Sequence, residues 1–347
     1  PHEVLVGRAL SGRLAELVPI PADAELAFVV THPVLEDQAR RAAASLEQAG
    51  LRIHGATLQE GESAKSLSVA ERLYDELAAA GAHRHDLVVA FGGGVVCDVA
   101  GFVASTYNRG MAVAHVPTTV LAQVDAAVGG KTALNLAKGK NLIGTFHQPC
   151  AVVCDVDLLQ SLPRDELVSG LAEVVKYGLI SDPSLLELVC SRGEDLLTAD
   201  AALMTEVVER CVTIKASIVA EDEREHGRRA VLNYGHTFGH ALEQVLGFTG
   251  IRHGEAVSLG MMAAAYLGQE LGRLDDDAVQ VHRRALEAVA LPTVRSLDHD
   301  LLSEAWRRDK KYRRGVRFVL LRAIGDAEAG VEAHDDIVRR AVERLSE

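Results

Sequence analysis

Positive charge and aromatic rings are both in short supply in this sequence. Lysine and arginine number 36 against 49 aspartates and glutamates, a net charge of −13 over 347 residues, and aromatic residues make up only 4%. A chain this acidic, with so few rings to stack on bases, is a poor partner for nucleic acid or for an anionic bilayer. Positive charge for an anionic small molecule must therefore be gathered locally. There is no uncharged apolar run of about 20 residues, which excludes a spanning helix. CxxC pairs are also missing. The five cysteines, Cys97, Cys150, Cys154, Cys190 and Cys211, are odd in number and dispersed. They read as reduced thiols of a cytoplasmic protein. The chain opens Pro1-His2 without a charged-then-apolar leader, and a short native start is expected to precede it.

What is present is a well-packed globular composition, with 48% hydrophobic residues. At roughly 150 residues per domain the length suggests about two domains. Apolar runs at Ala27–Val30, Leu87–Ala90, Ala112–Val116 and Ala151–Val153 read as buried strands. Helix-period stretches, Leu35 to Ala49 and Leu67 to Ala80, separate them and end at Gly50 and Gly81. That alternation predicts a largely parallel sheet covered by helices on both faces. After Pro163 the texture becomes helical, and only Arg317 to Leu321 reads as a strand. We place the boundary near Asp157 to Pro163, giving an α/β domain over 1–160 and an all-α domain over 161–347.

Two glycine motifs stand out. Phe91-Gly92-Gly93-Gly94-Val95-Val96-Cys97-Asp98 follows an expected strand and opens an expected helix. Glycines let a ligand approach the backbone, and a helix N-terminus offers unpaired N–H groups to a pyrophosphate. The spacing departs from GxGxxG, so a tight turn and a dinucleotide site both fit. Gly129-Gly130-Lys131-Thr132 resembles the end of a phosphate-binding P-loop, but Asp125 stands where that motif needs glycine. The P-loop is rejected, leaving a loop lined by functional groups.

A third constellation suits a metal. His236 and His240 sit at i and i+4, His253-Gly254-Glu255 follows at the expected start of the next helix, and Glu173 and Lys176 lie on an earlier one. Imidazoles and a carboxylate from separate elements are what a divalent ion requires. Chance proximity among 14 histidines is the alternative. Gly235 and Gly239, costly inside a helix, point to close approach of another element. Basic residues recur near these motifs: Arg109, Lys131, Lys140 beside Asn141, Lys176, Lys215, Arg229, Lys310 and Lys311. Singly each reads as a solvated charge or weak ion pair. Together they suggest a multiply anionic substrate.

Taken in order, the segments Glu60–Lys65, Gly92–Gly110, Pro117–Asn135, Gly139–Pro149, Ser169–Gly178, Asn233–Glu243, Arg252–Val257 and Asp309–Lys311 resemble the sugar phosphate cyclase family over nearly the whole chain. The resemblance implies a Rossmann-like, NAD-binding α/β domain and a helical domain holding one zinc or cobalt ion. It implies Glu173, His236 and His253 as metal ligands. Glu62, Lys65, Gly93, Gly94, Val95, Asp98, Thr118, Thr119, Asp125, Lys131 and Lys140 would contact NAD. Asp125, Lys131, Lys140, Asn141, Lys176, Lys215, Arg229, Asn233, His240 and a lysine of the 310–311 pair would form the substrate set. Within it, Lys215 and Arg229 would hold a carboxylate. Lys131, Asn141, His240 and Lys310 or Lys311 would surround a phosphate, and Arg109 would reach it from the partner protomer of a homodimer.

The implied reaction is cyclisation of 3-deoxy-D-arabino-heptulosonate 7-phosphate to 3-dehydroquinate with phosphate release, a step toward aromatic amino acids. One departure concerns the nucleotide: Thr31-His32 stands where the family often has an aspartate for the adenine ribose. Cys97, beside the glycine turn in place of a smaller residue, is expected to be tolerated. Three other activities compete. Valiolone-type cyclases tend to carry proline at the position of His240. Amino-dehydroquinate synthases keep nearly the same site. Metal-dependent alcohol dehydrogenases need no phosphate cage. A catalytically dead scaffold would not need the full set of metal donors.

Overall fold

Uncharged apolar runs become strands buried on both faces in the computed structural model, which describes residues 3–225, 227–247, 250–308 and 316–346. They belong to the first of two compact units, Pro1–Leu162 with Met204–Val212; the second comprises Pro163–Leu203 and Thr213–Glu347.

The first unit contains β1 (Glu3–Gly7), α1 (Leu14–Leu17), β2 (Leu26–Thr31), α2 (Glu36–Gln48), β3 (Arg52–Thr57), α3 (Leu67–Ala79), β4 (Leu87–Gly92), α4 (Gly94–Thr106), β5 (Ala112–Pro117), β6 (Lys131–Leu136), β7 (Gly139–Phe146) and β8 (Ala151–Asp155). Six strands form one sheet in the order β1-β8-β5-β4-β2-β3, and every pairing in it is parallel. Alternate residues serve opposite faces. Ala27, Val29, Leu87 and Val89 pack with Ala39, Ala42 and Leu46 of α2. Phe28, Val30, Val88 and Ala90 pack with Leu73 and Leu77 of α3 and Val96, Val99 and Val103 of α4. Helices on both faces explain why these strands show no polar alternation.

Four strands of this unit escaped the sequence reading. β1 and β3 are the two edges of the sheet. Edge strands keep polar residues, as in Arg52-Ile53-His54-Gly55-Ala56-Thr57. The loop expected around Lys131 is instead an antiparallel hairpin, β6 with β7, in which Lys131 faces Phe146 across the ladder. Asp125 lies before it in a single wide helical turn, Ala122–Ala126.

The second unit contains α5 (Arg164–Ile180), α6 (Pro183–Leu197), α7 (Ala201–Glu221), α8 (His236–Val245), α9 (His253–Glu270), α10 (Asp276–Ala288), α11 (His299–Arg308), β9 (Phe318–Ala323), β10 (Asp326–Val331) and α12 (Asp335–Glu343). The middle of α7 is the part grouped with the first unit. α9 is the centre: every residue from Ala256 to Gly268 is buried. A helix apolar all round must be enclosed, and α5, α8, α10 and α12 pack against it. The all-α expectation holds except for the hairpin β9–β10. Among the described residues no helix is long and apolar enough to cross a membrane.

Candidate active site

Gly92 ends β4 and Gly94 begins α4. A Cβ on Gly92 would lie 2.5 Å from Val96 Cγ2, on Gly93 3.1 Å from Thr119 Cγ2, and on Gly94 3.1 Å from Ala126 Cβ. The turn is therefore glycine for packing as well as for access. No side chain caps α4 at Gly93, so its first N–H groups suit a pyrophosphate. The cradle fits a dinucleotide. Thr118, buried, and Thr119 follow β5; the Thr119 hydroxyl accepts from Ala122 N at 3.1 Å. Cys97 is buried behind the turn, and burial pushes its thiol far above the ordinary range, so it is inert packing.

Beside the turn, Lys65 is 5% exposed and donates from Nζ to Asp98 Oδ2 and to Asn141 Oδ1, both at 2.6 Å. Glu62 Oε1 lies 3.5 Å from the same ammonium. Burial alone would lower the Lys65 pKa, but Asp98 and Glu62 together raise it. Asn135 ties the cluster, donating to Glu62 Oε1 at 2.9 Å and accepting from Asn141 N at 2.8 Å. The structure thus groups Asn141, expected at the phosphate, with residues expected at NAD.

In the second unit three helices bring three donors together. Glu173 is fully buried within α5, His236 opens α8 and His253 opens α9. Their ligating atoms all lie within 4.8 Å of one another. Glu173 Oε1 is 3.4 Å from His236 Nε2 and 3.5 Å from His253 Nε2. The His236 Nδ1–H donates to the Tyr234 carbonyl at 3.1 Å, which leaves Nε2 as the ligating nitrogen. Burial, partly opposed by Glu173, pulls His236 down to about 4. Burial also pushes His253 down, but hydrogen bonds and charge from Glu173 and Glu243 outweigh it and raise it to about 10. The carboxylates thus draw positive charge to this point, and the donor set fits a zinc- or cobalt-type ion. Lys176, 1% exposed, bonds the other Glu173 oxygen.

Glycines permit this approach. Gly235 is left-handed at φ +78°, and a Cβ there would meet Val257 O at 2.9 Å. A Cβ on Gly260 would lie 2.0 Å from Gly235 O. Glu243 escaped the sequence reading. Its Oε1 lies 3.7 Å from His253 Nδ1, and His240, Glu243 and His253 form a second donor group. The signal was available: His236, His240 and Glu243 fall at i, i+4 and i+7, on one helix face.

A buried pair supports His236. Tyr234 donates from its hydroxyl to His282 Nε2 at 2.7 Å, while His282 Nδ1–H donates to Ala278 O at 2.8 Å. Burial lowers His282 to about 4. Between its ordinary value near 6.5 and about 4, the unfolded chain binds the proton that the folded chain refuses. Stability should therefore fall as pH drops through that window, by up to ~3 kcal/mol from this one fully buried group. Urea unfolding at pH 7, 5.5 and 4 should show the decline, with a shallower one in His282→Gln. Parallel curves for the two proteins would remove His282 as the cause.

The remaining residues are placed as follows. Arg229 is 2% exposed, donates from its guanidinium to the Glu223 carbonyl and from its backbone N to Asp222 Oδ2. It is no surface arginine. It does not share a helix with His236, because residues 228–233 form a separate tight turn and Gly235 breaks the path before α8. Lys215, 5% exposed, lies on α7. Asn233 donates to Glu225 Oε1 at 2.7 Å. His240 is exposed, its ring centroid 5.2 Å from that of His236. In the first unit Lys131 is exposed, Lys140 is half-buried, and exposed Arg109 follows α4 in a left-handed turn. Lys310 and Lys311 lie outside the described residues.

Comparison with known proteins matches both parts of the chain. Residues 55–169 match the family described as 3-dehydroquinate synthase N-terminal, and residues 170–312 that described as 3-dehydroquinate synthase C-terminal. The 3-dehydroquinate synthase of Thermobifida fusca is 44% identical over 349 residues, covering 100% of this chain and 94% of that protein. Among solved structures, 2-deoxy-scyllo-inosose synthase complexed with carbaglucose-6-phosphate, NAD+ and Co2+ is similar at TM-score 0.90 and 26% identity, over 98% of this chain and 96% of that one. The 2-epi-5-epi-valiolone synthase of Streptomyces hygroscopicus with NAD+ and Zn2+ bound is similar at TM-score 0.89 and 28% identity, over 99% and 96%.

Proposed function

Because this chain belongs to the 3-dehydroquinate synthase family, we propose that it converts 3-deoxy-D-arabino-heptulosonate 7-phosphate to 3-dehydroquinate and phosphate, as a carbon–oxygen lyase. The observation that carries this reading is the donor set Glu173, His236 and His253 in a chain related over its full length. We assign those three residues to one zinc or cobalt ion, and the glycine turn with Glu62, Lys65, Asp98, Thr118 and Thr119 to NAD. When bound, the ion supplies Lewis acidity toward a substrate oxygen and NAD a reversible hydride acceptor.

The chain's own residues do the rest. Lys176, held against Glu173, orients the carboxylate. Glu243 holds Nδ1 of His253 so that Nε2 faces Glu173. Lys215 and Arg229, both buried, are assigned to the substrate carboxylate; charge-assisted bonds are strong where water is excluded. Lys131, Asn141, His240 and a lysine of the 310–311 pair are assigned to phosphate, whose departure needs its charge met by fixed donors. Asp125, Lys140 and Asn233 are assigned to holding the reactive keto acid in position. We further read the protein as a cytoplasmic homodimer, with Arg109 reaching the partner's site.

The test supplies the keto-acid phosphate, NAD+ and zinc to the purified protein. Phosphate and 3-dehydroquinate should appear together while NAD shows no net reduction over many turnovers. NADH accumulating in step with product would indicate a simple dehydrogenase instead.

The carboxylate assignment has its own test. Arg229→Ala should lower kcat/KM at least ~10-fold, since a charge-assisted bond contributes ~1.5–3 kcal/mol and about 1.4 kcal/mol is one decade. Its zinc content should stay at the wild-type level. Wild-type kcat/KM would mean that the carboxylate is held elsewhere.

A further inference from the structure

The adenosine end of the dinucleotide site carries bases where an acid would be expected. β2 is the sheet neighbour of β4, Val30 pairing with Ala90, so the C-terminal end of β2 lies beside the glycine turn. In dinucleotide folds the residue near such a strand end reads the adenine ribose: a carboxylate bonds the 2′-hydroxyl, and a nearby arginine accommodates a 2′-phosphate. Here the residues that follow are His32-Pro33-Val34-Leu35, with no acid before Glu36.

The local geometry sets out two donors. His32 Nδ1 lies 3.0 Å from the Leu58 carbonyl, which can only accept, so Nδ1 carries hydrogen and Nε2 is left for a ligand. Nε2 can accept from a 2′-hydroxyl or, protonated, donate to a phosphate oxygen, whereas a carboxylate does only the first. Thr31 pairs with Thr57 at the end of β3. Arg72 of α3 reaches that same strand end, Nη2 donating to Thr57 O at 2.6 Å, with Glu76 holding its other arm. A guanidinium has five donors, so these two contacts leave capacity for phosphate.

We propose that His32 and Arg72 make the ribose subsite tolerant of a 2′-phosphate, so that this chain binds NADP+ nearly as well as NAD+. The inference rests on the reading that the glycine turn holds a dinucleotide. Isothermal titration of the full, zinc-loaded chain with NAD+ and with NADP+ separates the two. The NADP+ to NAD+ ratio of Kd should lie below about 10, and His32→Asp should raise it at least ~10-fold, one decade being about 1.4 kcal/mol. Arg72→Gln, which adds no charge at the strand end, should raise the ratio in the same direction. A wild-type ratio above about 10, or a ratio that neither variant changes, overturns the proposal while leaving NAD binding intact. Failure of NAD+ itself to bind would instead overturn the dinucleotide reading.

Discussion

Glu173→Gln will leave the protein unable to retain its divalent ion. Even an outer partner of a metal ligand is worth 10- to 100-fold in affinity, so loss of a charged ligand should cost at least ~100-fold. Zinc content after dialysis should drop from about one per chain to near zero, and activity with it. A second effect is predicted, because Lys176 is 1% exposed and bonds Glu173. Its buried ammonium would lose its charged partner, at a cost of ~3–5 kcal/mol of stability. The double variant Glu173→Gln with Lys176→Met separates the two effects. Removing both charges should restore most of the stability, since an apolar pair can replace a buried ion pair. Metal should still be lost. A Glu173→Gln protein that keeps zinc at wild-type affinity would remove Glu173 from the ligand set.

Gly254→Ala should damage the same site without touching a donor atom. An added Cβ would lie 2.1 Å from the Ser169 carbonyl oxygen and 2.5 Å from Ser169 Cα, so backbone must move. Gly254 follows His253 at the start of α9, its N–H bonded to Ser169 Oγ at 3.0 Å. Ser169 lies one turn before Glu173 on α5. Pushing α9 from α5 therefore stretches the 3.5 Å separation of His253 from Glu173. Overpacking of this kind costs ~1–3 kcal/mol or more. Metal affinity should fall at least ~10-fold, because ligation tolerates errors of only a few tenths of an ångström. Gly12→Ala, where nothing lies within 4 Å, serves as the control and should behave as wild type. Unchanged zinc affinity in Gly254→Ala would show that α9 can yield without moving His253.

Residue pattern was enough to place the central strands, the glycine turn and a pool of candidate metal donors. β2, β4, β5 and β8 were legible because a strand covered on both faces is apolar along most of its length. The edges β1 and β3 were not, because one side of each lacks a neighbouring strand and the apolar pattern is diluted. His236, His240, His253 and Glu173 were legible as candidate donors, and Gly235 and Gly239 as points of close approach, from residue type and spacing, while the choice of His236 and His253 among the histidines came with the family resemblance. Which of these candidates lie together emerges from the packing of α5, α8 and α9. Gly254 and Ser169 stand 85 positions apart, yet their contact sets the distance from His253 to Glu173. The tertiary structure also decided that Arg229 is buried, that Asn141 sits with Lys65, that Glu243 backs His253, and that Tyr234 and His282 steady His236. Periodicity reports which side of an element faces inward. It carries no distance between elements, and here that distance depends on backbone packing at glycines, where any side chain would hold the helices apart.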